Sequence, residues 1–400
     1  MVPGKGSADR HTGVGQVRVA VDGGAVAELP SDGMLLSPSV SSKRERNHTL
    51  DLARILMAFT VVLGHTCNIF SGELTQYGAS WWLTVSVHMA TRWGVPLFVM
   101  ISGAFLLSPD SKVTTFDFWR RRFGRILIPL LFWIVVYALL GNKLPSPRML
   151  FSTANLEMAF HALLHAPHKP PGNILWYLYM AATLYFLAPF LRKIIAHSSA
   201  KELCVLTGAL FMVSVLDPGF AQRAGYTADP YYSYCFIFFL GYFLAGQLLY
   251  RYPIKIKTWK LMAVVLAGII LAIAGYVTIP FGYDACPWLQ EVGQRYFTSH
   301  LGIPTMMMAI PLFILATRIS FPQRLQPLVD RVVPLTFGIY LAHTIWLRGI
   351  RWLSLQFFPV GDMPFPIYGI LLIGTAACAF LVSAITTAII LKIPYLRRVV

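Results

Sequence analysis

The stretch LDLARILMAFTVVLGHTCNIF, Leu50 to Phe70, decides the fold. It is long enough to cross a hydrocarbon core of roughly 30 Å. Yet it carries Arg54 in its first turns and His65 nearer its far end. Ionisable groups are costly in lipid, so both are functional-site candidates by default. With ten residues between them, they sit about three turns plus 20° apart, on one helix face, and about 16 Å apart in depth. One stripe therefore reaches from near one membrane surface to well past the midplane.

The rest of the chain shares this apolar character. Hydrophobic residues make up 56% and charged residues 12%, with a mean hydropathy of +0.61. An ordinary soluble domain has about a quarter of its residues charged. The net charge of +16 raises the thought of nucleic acid. The basic residues, however, fall in short clusters between apolar runs, the signature of the positive-inside rule, so no nucleic-acid partner is expected. Five cysteines with no CxxC give no metal or redox motif. Cys67, Cys235 and Cys286 are expected near one membrane face, with no pairing set by the sequence.

The apolar runs predict an all-α, polytopic membrane protein of about ten transmembrane helices. They lie near 50–70, 84–107, 126–142, 174–192, 202–217, 231–250, 261–280, 299–317, 334–352 and 366–391. An even number places both termini on one side. Residues 1–49, 108–125, 192–201, 251–260, 318–331 and 392–400 hold most of the 33 Lys and Arg. The N- and C-termini are therefore expected in the cytoplasm, and the protein in the cell's inner or plasma membrane. Residues 1–48 lack a continuous apolar core and read as a disordered cytoplasmic tail rather than a signal peptide. Met34 is an alternative start. Residues 49–400 make the membrane domain, with outer loops near 143–173, 218–230 and 281–298 long enough to cap a cavity. No internal repeat is visible, which disfavours transporter folds built from inverted repeats.

Three further groups carry chemistry. Arg120, Arg121, Arg122 and Arg125 gather at the cytoplasmic mouth of the third span. Such guanidinium clusters bind phosphate bidentately, and they also serve as plain topology anchors. Arg92 sits inside the second span, one turn from His88, with Pro96 able to kink the helix and Ser102-Gly103-Ala104 offering a surface for close packing. Tyr340 and His343 share a face of the ninth span, while Trp176 and Tyr177 enter the fourth. These five residues, Arg92, Trp176, Tyr177, Tyr340 and His343, are candidates for binding an acceptor or lining a pore. Glu157, His161, His165 and His168 have helical metal-ligand spacing, but nothing else supports a metal site and none is expected.

Taken in order, LDLARILMAFTVVLGHT, GVPLFVMISGAFLL, FWRRRFGRILIP, ILWYLYMAATLYFLAPFL and FGIYLAH resemble the family-3 integral-membrane acyltransferases. The resemblance spans most of residues 49 to 392. Its TRWGVPLFVMISG form is most similar to stand-alone bacterial members that O-acetylate surface glycans. It implies ten membrane helices and transfer of an acyl group, usually acetyl from acetyl-CoA, to a hydroxyl. The essential His maps onto His65 and its partner Arg onto Arg54. Donor-site arginines map onto Arg122 and Arg125, with Arg121 beside them. Many members read His-Leu-Trp where this chain has Ile174-Leu175-Trp176, so no second catalytic His is expected there.

The expected activity is that of an integral-membrane O-acetyltransferase. It takes acyl groups from cytoplasmic acyl-CoA and gives them to a cell-surface or lipid-linked glycan. Acetyl-CoA is a co-substrate, and no bound cofactor is expected. His65 would act as general base or as transient acyl carrier, and the sequence leaves both open. GxSxG is absent, and Cys67 lies about 200° round the helix from His65, which argues against a cysteine relay. The alternatives are acyl tailoring of a small-molecule natural product and a non-enzymatic transporter of a glycan precursor. Oligomeric state is not set by the sequence.

Overall fold

The computed structural model describes residues 48–109, 113–141, 172–223, 235–278, 296–297, 299–319 and 321–400. The expected tail, apart from His48, lies outside these residues, as do most of the three outer loops and the Glu157, His161, His165, His168 group.

Regular structure among the described residues is entirely helical. Helix α1 runs His48–Phe70, α2 Ala79–Ala90, α3 Gly94–Leu106 and α4 Thr115–Gly141. Then come α5 Trp176–His197, α6 Ala200–Arg223, α7 Leu240–Arg251 and α8 Thr258–Thr278. The last three are α9 Ile303–Arg318, α10 Thr336–Phe357 and α11 Phe365–Lys392. Local chemistry sets several starts. Ser199 and Glu202 form a reciprocal cap at α6: the Ser199 N–H donates to Glu202 Oε2 at 2.7 Å, and the Glu202 N–H to Ser199 Oγ at 3.3 Å. At α4 the Asp117 N–H donates to Thr114 Oγ1 at 3.2 Å, and the Thr114 hydroxyl donates to Asp117 Oδ2 at 2.8 Å.

Among the described residues, six segments are long and apolar enough to cross a membrane: His48–Glu73, Ala79–Leu106, Trp176–His197, Thr258–Val277, Gln323–Phe357 and Phe365–Lys392. Ile303–Arg318 is a shorter apolar helix. Where the protein meets no other helix its surface stays apolar. Ile370, Leu381 and Ile385 on α11, and Leu266 and Ile270 on α8, are exposed, as expected of faces turned to hydrocarbon.

Two stretches expected as unbroken spans are divided. The first breaks at Thr91–Trp93, between α2 and α3. The expected kink at Pro96 is thereby moved upstream, for a physical reason. Pro96 is the third residue of α3, where its missing N–H falls among donors that lack a helical partner anyway. The carbonyl that this N–H would have met, four residues back, is that of Arg92, and it accepts instead from His300 Nδ1 at 3.2 Å. The second break, at Phe239, separates the single turn Cys235–Phe238 from α7.

Helix α1 is central, packing on α2, α3, α9, α10 and α11. The tightest crossing joins α3 to α7. A Cβ on Gly103 would overlap the Phe243 backbone, and one on Gly246 would overlap that of Met100. Two glycines thus let backbones touch, as the small-residue surface at Ser102-Gly103-Ala104 implied. Arg192 Nε caps the end of α3, donating to the Leu106 carbonyl at 2.6 Å.

Candidate active site

His65 lines a cavity of about 160 Å³. Its walls are α1, the α2–α3 break, the start of α5, the entry to α9 and Tyr340 of α10. Glycine brings these elements close. A Cβ on Gly64 would stand 3.0 Å from Thr91 Oγ1, and one on Gly94 would stand 2.8 Å from Thr60 Oγ1. The residue next to Gly64, His65, is thereby set against the break.

Arg92, at that break, lines the cavity with His65, His88 and His300 and acts electrostatically on all three rings. The Nδ1 bond of His300 to the Arg92 carbonyl fixes its ring, which stacks on Trp176 at 5.7 Å and 20°. Tyr340 closes another wall. Its hydroxyl donates to the Ile174 carbonyl, and its ring meets Tyr177 edge-on at 5.3 Å. So the start of α5 is tied to α10, and Trp176 and Tyr177 both face the cavity.

A second cluster forms around Tyr185 on α5. Arg122, Arg54 and Arg125 all act electrostatically on its phenol. Arg54 Nη1 donates to buried Asp51 at 2.8 Å, and its guanidinium lies 5.2 Å from the Phe105 ring centre. Arg122 lies 5.9 Å from the Phe118 ring centre, while Arg121 and Arg125 are exposed on α4. The structure thus gathers Arg54 of α1 with Arg122 and Arg125 of α4 at one end of the α1 stripe.

An apolar pocket of about 40 Å³ lies between the two clusters. Met57 and Val61 of α1 line it, with Phe98, Tyr177, Phe337 and Tyr340. It shares Val61, Val95, Tyr177 and Tyr340 with the His65 cavity. Tyr177 stands at the junction, hydrogen-bonded to Ser102.

Two of the candidate residues lie outside the cavity wall. Arg54 does not border the His65 cavity. One face is shared, but about three turns of helix separate the two residues, and the guanidinium beside His65 is that of Arg92. His343 does not line the cavity either. It is fully buried behind His65, with ring centres 5.2 Å apart. His300 is the residue that the sequence reading missed. The signal was present, because an ionisable group at the edge of an apolar run invites the argument applied to His65. Cys67 is a free, buried thiol packed with Phe70 and Tyr368, and it does not line the cavity.

A buried imidazole beside a guanidinium, in a cavity adjoining an apolar pocket, suits attack on a polarised carbonyl. A family model described as an acyltransferase domain, that of acyltransferase family 3, matches residues 47–384. No curated protein and no solved structure matches the chain.

Proposed function

Because this chain belongs to acyltransferase family 3, we propose that it is a membrane-embedded O-acetyltransferase serving a cell-surface or lipid-linked glycan. Its donor is cytoplasmic acetyl-CoA. The observation that carries this reading is the order along one stripe of α1: Arg54 with the arginines of α4, then the apolar pocket at Met57 and Val61, then the adjoining His65 cavity. Phosphates of the donor dock on Arg122 and Arg125, whose guanidinium forks match phosphate geometry, with Arg121 and Arg54 adding charge. The thioester arm follows the pocket past Tyr177 to the cavity.

There His65 takes the proton of an acceptor hydroxyl. The oxygen forms the new ester bond to the acetyl carbon, the carbon–sulfur bond breaks, and the departing thiolate receives that proton. Arg92 stabilises the oxyanion formed on the way. Trp176 and Tyr177 offer apolar faces to a sugar ring.

In this reading ten helices cross the inner or plasma membrane and both termini are cytoplasmic. Of the helices outside the six most apolar among the described residues, α4 and α6 expose apolar side chains such as Leu131 and Val205, whereas α7 is walled by protein. Leu240 to Gln247 of α7 are all buried. The test uses membranes from cells expressing the chain, supplied with acetyl-labelled acetyl-CoA. Label should enter the glycan fraction with the wild type and not with His65→Ala at equal protein abundance. Wild-type membranes that leave the glycan unlabelled would sink the reading.

A further inference from the structure

We infer that His343 is a positioning residue for His65, holding it in the one tautomer whose lone pair faces the cavity. The inference rests on the reading of His65 as the reacting group. His343 Nδ1 lies 2.7 Å from the Tyr340 carbonyl and 3.2 Å from that of Ile339. Carbonyl oxygens only accept, so Nδ1 must carry the proton. In the neutral ring, Nε2 then holds a lone pair. That nitrogen is completely buried and has no hydrogen-bond partner, and an unmet acceptor in a buried site is costly.

What could supply its hydrogen? The acceptor substrate cannot, since His343 is fully buried and takes no part in the cavity wall. His65 can. Its ring centre is 5.2 Å from that of His343, with the rings tilted by 51°, so a modest rotation about its side-chain bonds turns an N–H onto Nε2. Once that bond forms, the other nitrogen of His65 has its lone pair aimed at the cavity. The hydrogen-bonded chain runs from His65 through His343 to the Tyr340 carbonyl and ends on rigid backbone. When His65 gains a proton, the same bond to Nε2 steadies the imidazolium.

The helix that carries His343 is firmly held. A side chain on Gly338 would collide with Thr387, so α10 rests directly on α11. Ile339 and Leu347 of α10 pack with Val62 of α1 and Ala379 of α11. Histidines that do chemistry commonly have their second nitrogen fixed in this way. Here the fixing partner is a second imidazole rather than a carboxylate.

The test compares His343→Phe, which keeps a ring and loses the acceptor, with His343→Gln, whose side-chain oxygen can stand near Nε2. Both are assayed in membranes as the full chain, with acetyl-CoA as the varied substrate. The Phe variant should lose turnover by about 10- to 100-fold with KM for acetyl-CoA unchanged, and the Gln variant should recover most of it. Wild-type turnover in the Phe variant would overturn the assignment, as would equal losses in both. A second readout needs neither folding-neutral kinetics nor a substrate. In purified protein labelled with 15N-histidine, His65 resonances are identified by difference against His65→Asn. They should report one tautomer in the wild type and a mixture in His343→Phe. A mixture already present in the wild type would overturn the proposal. Membranes that transfer no acetyl label would instead count against the acyltransferase reading, and the tautomer result would still stand or fall on its own.

Discussion

At the scale of the residue, Arg54 and Arg92 stand in different company. Arg54 shares a helix face with His65, yet its partners are Asp51 and Phe105, whereas Arg92 sits in the cavity with His65. Substitutions should separate them kinetically. Arg122→Ala and Arg125→Ala should each raise the KM for acetyl-CoA, since a charge-assisted bond contributes about 1.5–3 kcal/mol. Arg122→Lys should recover part of the loss, because the charge remains and the fork does not. Arg92→Met should instead lower turnover at saturating donor. Initial rates over a range of acetyl-CoA concentrations decide between the two patterns; a pure KM effect for Arg92→Met would remove it from the reacting end. His65, Arg54 and the arginines of α4 were legible because helical periodicity and charge in apolar surroundings are local signals. Arg92 and His343 were readable as polar groups of the second and ninth spans, but the place of His300 was not, because it depends on contacts between segments distant in the chain.

Among elements, the decisive features are a break and a crossing. Hydropathy averaging runs smoothly over Thr91–Trp93, so the division of α2 from α3 was invisible to it, although Pro96 signalled a disturbance nearby. The glycine-bearing face of α3 was readable, but its partner α7 was not. That crossing gives a direct stability test. Gly246→Leu and Gly103→Leu should sharply reduce the yield and thermal stability of detergent-purified protein, because even a Cβ has no room at either site. Gly349 is the control: nothing stands within 4 Å of a Cβ there, so Gly349→Ala should be neutral or add up to about 1 kcal/mol through helix propensity. Equal behaviour of Gly246→Leu and Gly349→Ala would show that the two backbones do not meet.

For the whole molecule, all-helical membrane architecture was plain in the composition, while the number of crossings was harder to read. Apolar runs suggested ten helices, and among the described residues six are long and apolar enough to cross a membrane; a helix walled by others, like α7, has no need of a lipid-facing surface. Orientation can be measured. With native cysteines replaced by serine, an impermeant thiol reagent added to intact cells should label Gln76→Cys, between α1 and α2, and miss Pro394→Cys after α11. The opposite pattern would invert the topology and separate the donor from the arginines meant to hold it. The contact of α3 with α7 also bears on how the protein is made. Helices α4, α5 and α6 leave the ribosome between these two partners, so α3 must wait in the membrane with its glycine seam open. During that interval an insertase or a lipid chain has to shield the seam, and a nascent chain stopped before Leu240 would present it to quality-control proteases.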